Sequence, residues 1–151
     1  SSPIYKQMYD AMCTCADECR KHKMFMGLET GQEQADHLAA FLRSLGRDNV
    51  YINFDPANLI LYGKDNPVDA FRRIGQHVIS CHAKDGVWPT EAGQLGSEKP
   101  LGDGQVSIPD FVRALKDMHF KGPIVIEREA GDDRKGDIFK ARDLLQSLIY
   151  A

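Results

Sequence analysis

The chain has 151 residues, a net charge of -3, 42% hydrophobic and 27% charged residues, which suits one soluble globular domain with a sizeable core. No basic run points to nucleic acid, and no apolar stretch of about 18 residues points to a membrane span. No charged segment followed by an apolar core marks a signal peptide.

Ser1-Ser2-Pro3 reads as a helix start, a serine cap with proline in the first turn. Ile4, Met8, Ala11, Met12, Cys15 and Cys19 keep helical spacing to about His22. The chain begins inside this helix without an initiator methionine, so a piece of a longer product is expected. A strand follows from about Met24 to Glu29, then a helix from about Glu33 to Leu45 with Leu38, Phe41, Leu42 and Leu45 on one face and Gly46 as its stop. The second strand spans about Val50 to Asp55. Leu59 to Gly63 reads as a loop or single turn, and Asn66-Pro67 opens a helix through Ile74.

A third strand is expected from Val78 to His82. Gly86 to Ser107 forms the longest irregular segment and holds the single tryptophan, Trp88. Ile108-Pro109 starts a helix through about His119, a fourth strand covers Pro123 to Arg128, and a last helix runs from about Arg134 to Tyr150. Strands alternating with helices predict an α/β fold of parallel βα units. Cys13, Cys15 and Cys19 crowd one helix and Cys81 sits in a strand, with no second Cys or His pair at zinc-finger spacing. Reduced thiols in a cytoplasmic protein are therefore expected.

All four strands end on a metal-ligating residue type: Glu29, Asp55, His82 and Glu127. Parallel strands joined by right-handed crossovers point their C-terminal ends the same way, so these side chains are predicted to gather at one rim. One imidazole and three carboxylates suit one divalent ion such as Mn²⁺, Mg²⁺, Co²⁺ or Zn²⁺. Glu129 competes with Glu127 for the last position because alternate strand residues face the same way. Glu127 is preferred, with Arg128 and Glu129 as rim or ion-pair residues.

Leu28-Glu29-Thr30-Gly31-Gln32-Glu33, Asn53-Phe54-Asp55-Pro56-Ala57-Asn58, His82-Ala83-Lys84-Asp85 and Ile126-Glu127-Arg128-Glu129 resemble the sugar phosphate isomerase/epimerase group with a xylose isomerase-like TIM barrel. The resemblance covers essentially the whole chain, as a single domain over residues 1–151. It implies a metal held by Glu29, Asp55, His82 and Glu127, with Glu29 and Glu127 as the acid/base pair for proton abstraction next to a carbonyl, through an enediolate. The implied substrate is a small carbohydrate, a sugar, sugar phosphate or polyol. Asn58, Lys84 and Trp88 are the expected substrate-binding residues. Asn58 stands where several ketose epimerases carry a histidine. Lys84 has an equally good reading as the ion-pair partner of a rim carboxylate. Leu101-Gly102-Asp103-Gly104 resembles the family's Gly-rich turn and is not read as a phosphate cradle, since no helix start follows directly.

A TIM barrel has eight strands, and these four correspond by resemblance to its C-terminal half. Such a half exposes two sheet edges and an inner face, so a homodimer or larger assembly is expected. Two alternatives to an isomerase or epimerase stand beside it: an inosose dehydratase-like lyase, and a metal-binding half-barrel without turnover.

Overall fold

A computed structural model describes residues 2–151; Ser1, read as part of the first cap, lies outside the described residues. Helix α1 (Pro3–Lys21) is capped by Ser2, whose hydroxyl accepts from the Tyr5 N–H at 3.2 Å. Strand β1 (Met26–Glu29), α2 (Ala35–Leu45), β2 (Val50–Phe54), α3 (Pro56–Leu61), α4 (Pro67–Ile74) and β3 (Val78–Ala83) follow. The second half contributes β4 (Asp85–Val87), β5 (Ser97–Lys99), α5 (Ile108–Asp117), β6 (Ile124–Ile126) and α6 (Arg134–Ile149). Among the described residues, no helix is long and apolar enough to cross a membrane.

Strands β1, β2, β3 and β6 form one parallel sheet in that order, as the alternating sequence pattern predicts, and the barrel is not closed. Strands β1 and β2 alternate strictly in what they bury. Val50, Ile52 and Phe54 of β2 are buried while Tyr51 and Asn53 are half-exposed. The buried face packs against α2, α4 and α5. Phe54, Phe71 and Phe111 meet there with ring centroids 5.3 to 5.7 Å apart, an arrangement that adds ring–ring contact to their area burial. Each such fully buried side chain contributes about 1.5–3 kcal/mol. A second apolar cluster, including Ile60, Val106, Ile108, Val112 and Leu145, ties α3 and α5 to α6.

The opposite sheet face carries Glu29, Asn53, Ser80, His82 and Val125 and has no helix layer over it. Phe25 and Val125 are 61% and 50% exposed. Among the described residues helices cover one face of the sheet, and the inner face is open, as expected for half a barrel.

Three local expectations are corrected. Leu59 to Gly63, read as a loop or single turn, belongs largely to α3: Asp55 caps it by accepting from the Asn58 N–H at 2.9 Å, and Pro56 sits in its first turn. The proline that stops β2 therefore starts a helix. The irregular segment Gly86 to Ser107 contains the antiparallel β4–β5 pair, with Asp85 opposite Lys99 and Val87 opposite Ser97. Strand β6 is shorter than expected, so Glu127 lies just past it, although its N–H still donates to the Ala83 carbonyl at 3.2 Å.

Candidate metal centre

Each strand end delivers its side chain for a local reason. Glu29 closes β1, and the next residue, Thr30, is buried with its hydroxyl in two bonds to Asp55: it donates to the Asp55 carbonyl at 2.8 Å and accepts from the Asp55 N–H at 2.7 Å. That pair locks the ends of β1 and β2 together. Asp55 is fully buried and uses Oδ1 to cap α3, which leaves Oδ2 facing the imidazole. His82 projects from β3 on the open sheet face. Its Nδ1 lies 2.9 Å from Glu127 Oε2, 3.3 Å from Asp55 Oδ2 and 3.6 Å from Glu29 Oε1. Glu29, Asp55, His82 and Glu127 each offer one ligand atom, and the four atoms lie within 4.8 Å of one another. The strand-end prediction is met: the fold brings the four together.

The charges around this cluster are unequal. Three carboxylates face one imidazole and one ammonium. Lys84, only 4% exposed, places Nζ 3.1 Å from Glu127 Oε2 and 3.8 Å from Asp55 Oδ2, and also donates to Glu129. Of the two readings of Lys84, the structure shows the ion pair. Burial works against its charge, but the Glu129 hydrogen bond and the charges of Asp55 and Glu127 outweigh it and hold the ammonium above its ordinary range. His82 is likewise raised, first by its hydrogen bond to Asp55, against an opposing effect of burial. Glu29 is pushed up mainly by burial, with Asp55 and Glu127 adding repulsion.

The remaining predicted residues fall as follows. Asn58, in α3, donates from Nδ2 to Glu29 Oε1 at 3.0 Å and to the Thr30 carbonyl at 3.1 Å, so it orients the carboxylate. Trp88 follows β4 with its backbone N–H on Gln105 Oε1, and among the described residues no hydrogen bond links it to the cluster. Arg128 and Glu129 are ion-pair residues as expected: Arg128 pairs with Glu98 and Asp137. The Gly-rich turn is no anion cradle, because the amides of Gly102 and Gly104 already donate to Asp85 Oδ2.

Sequence reasoning passed over Asn53, whose side chain lies 3.0 Å from His82 Nε2, and Thr30. A signal for Asn53 was present, an amide inside an otherwise β-prone run where asparagine is disfavoured. A cleft of about 490 Å³ between α1, α2 and β1, lined by Tyr5, Met8, Met12 and Phe41, reaches the cluster only at Glu29. The centre itself lies on the open sheet face.

Donors restricted to carboxylate oxygen and one imidazole nitrogen fit a hard or borderline divalent cation. A family described as "Xylose isomerase-like TIM barrel" matches residues 3–148. No protein with a curated description matches the chain. Among solved structures, a xylose isomerase domain protein from Planctomyces limnophilus is 38% identical with a TM-score of 0.92, covering 97% of this chain and 54% of that one. A xylose isomerase-like TIM barrel protein from Mycobacterium smegmatis in complex with magnesium is 18% identical with a TM-score of 0.76, over 99% and 52%. D-allulose 3-epimerase from Methylomonas sp. in complex with D-allulose is 19% identical with a TM-score of 0.71, over 92% and 53%. The chain spans about half the length of each.

Proposed function

Because the chain belongs to the xylose isomerase-like TIM barrel family, we propose that it is a single domain forming the C-terminal half of a metal-dependent sugar isomerase or epimerase. The observation that carries this reading is the convergence of Glu29, Asp55, His82 and Glu127 from four strand ends onto one point. A magnesium complex and an epimerase bound to its ketose among the structural relatives support a divalent cation and a carbohydrate substrate.

Glu29, Asp55, His82 and Glu127 would hold the ion. When bound, it supplies Lewis-acid polarisation of a carbonyl and so acidifies the neighbouring C–H. Glu29 takes the proton from that carbon as a carboxylate held at the rim of the cluster. The Asn58 amide fixes the Glu29 carboxylate while this happens. Glu127 lies across the cluster and returns a proton, to the opposite face of the carbon in an epimerisation. Lys84 and Asn58 meet substrate oxygens at the rim, and Trp88 covers them from the loop. The open face, with Phe25 and Val125 exposed, and the unpaired outer edges of β1 and β6 support a homodimer or larger assembly that supplies the remaining wall.

The test is Mn²⁺ titration followed by incubation with ketoses in deuterated water. One ion per chain, lost in Glu29→Gln or His82→Ala, with solvent deuterium entering next to the carbonyl, is the expected result. Loss of water from the substrate would assign a lyase instead. Tight metal binding without any exchange would leave a binding half-barrel.

A further inference from the structure

The hydrogen bonds behind His82 determine which ring nitrogen can serve a cation. Ser80 and His82 lie two residues apart on the open face of β3, and Asn53 on β2 reaches both. The Ser80 hydroxyl donates to Asn53 Oδ1 at 2.6 Å, and Asn53 Nδ2 lies 3.0 Å from His82 Nε2 and 3.5 Å from Glu29 Oε2. The imidazole is thus gripped on both sides: Nε2 by an amide, Nδ1 by the three carboxylates. With its amide as placed here, Asn53 donates to Nε2, so the imidazole proton sits on Nδ1 among the carboxylates.

A histidine nitrogen that ligates a metal must be unprotonated, and the other nitrogen then carries the proton and needs an acceptor. Nδ1 is the nitrogen facing the carboxylates, so Nε2 would have to donate. Among the described residues only one side chain lies within hydrogen-bond reach of Nε2, and it is an amide, which offers a donor and an acceptor from the same place. Half a turn of that amide exchanges them, and Ser80 can follow because a hydroxyl both donates and accepts. An apolar residue at position 53 would leave Nε2–H without a protein partner on a half-buried face.

Resting on the metal-site reading above, we propose that Asn53, backed by Ser80, is the positioning residue of the centre. It holds the His82 ring with Nδ1 toward the carboxylates, and its amide turns to accept from Nε2–H when a divalent cation takes Nδ1. The Asn53–Ser80 pair therefore raises cation affinity without touching the ion.

Calorimetric titration of the whole chain with Mn²⁺ tests this, using Asn53→Leu, Asn53→Asp and Ser80→Ala. Outer partners of this kind change metal affinity by about 10–100-fold, so Asn53→Leu should bind Mn²⁺ at least about tenfold more weakly. Asn53→Asp, which keeps an acceptor for Nε2–H, should recover most of the affinity. A merely structural role would lower both variants alike, together with their melting temperatures. Should Asn53→Leu fail to fold, imidazole ¹⁵N spectra of the unaltered chain with Zn²⁺ decide. A protonated Nε2 supports the proposal, and a protonated Nδ1 overturns it. Wild-type affinity in Asn53→Leu, or an Asn53→Asp as weak as Asn53→Leu, also overturns it while leaving the metal site intact. An unaltered chain that binds neither Mn²⁺ nor Zn²⁺ takes down the metal-site reading, and this inference with it.

Discussion

Asp85 stands three residues after a proposed ligand, yet its carboxylate serves the backbone. Oδ1 accepts from the N–H groups of Gly86 and Val106 at 2.8 and 2.9 Å, and Oδ2 from those of Gly102 and Gly104 at 2.9 and 3.0 Å. Four amides on a 1% exposed carboxylate explain why a long segment of little regular structure keeps one course. They also explain Gly104, since any side chain there would collide with the Asp85 carboxylate. Asp85→Asn turns one acceptor oxygen into a donor facing two donors, so the chain should lose about 3 kcal/mol in urea denaturation. An unchanged midpoint would mean that the loop orders itself. Lys84 makes a prediction of opposite sign for the metal. Its ammonium lies 3.1 and 3.8 Å from oxygens of Glu127 and Asp55 and repels a cation placed among them. Lys84→Met should therefore bind Mn²⁺ roughly tenfold more tightly, while proton exchange on a ketose falls if the proposed Lys84 contact to substrate is made. Weaker Mn²⁺ binding in Lys84→Met would show that the lysine builds the centre rather than opposing it.

At the level of elements, the exit of β6 is held from outside the sheet. Arg128 pairs with Glu98 of β5 at 2.6 Å and with Asp137 of α6 at 2.9 Å, and Glu98 also accepts from the Glu129 N–H at 3.0 Å. Hairpin, helix and strand end meet at these three side chains, next to Glu127. Glu98→Ala should destabilise the chain by about 2 kcal/mol by thermal denaturation, whereas Lys6→Ala, which breaks an exposed pair in α1, should leave the midpoint where it is. Equal effects would deny the buried triad its role. Little of this triad is visible in sequence, because its members are 30 and nine residues apart. The strand ends were readable, since β-prone runs ending on Glu29, Asp55, His82 and Glu127 are local patterns. Helix α3 was misread because Asp55-Pro56 serves two elements at once. The β4–β5 pair was missed because three-residue strands carry no periodicity of their own, and Asp85 at the start of β4 acts on amides 17 to 21 residues further along.

On the scale of the whole molecule, the parallel sheet places the proposed ligands at the strand ends of the face that no helix layer covers among the described residues. The core lies on the other side, between the sheet and α2, α4 and α5, which gives the half its own hydrophobic support. The inner face instead combines a charged rim with Phe25 and Val125 in solvent, and β1 and β6 each keep one unpaired edge. Free parallel edges beside a face that leaves Phe25 and Val125 in solvent favour pairing with further strands. Two such four-stranded sheets supply the eight strands of a barrel, so native mass should be at least twice 16.9 kDa. Val125→Lys puts a charge on that face at the edge strand β6 and should shift the chain toward monomer, with little change in melting temperature because residue 125 is already half-exposed. Mn²⁺ affinity should survive the change, since all four proposed ligands come from one chain. A strictly monomeric chain at micromolar concentration would mean that the open face is tolerated in water. If Mn²⁺ binding were lost together with self-association, the centre would need a wall from a second chain even to hold its ion.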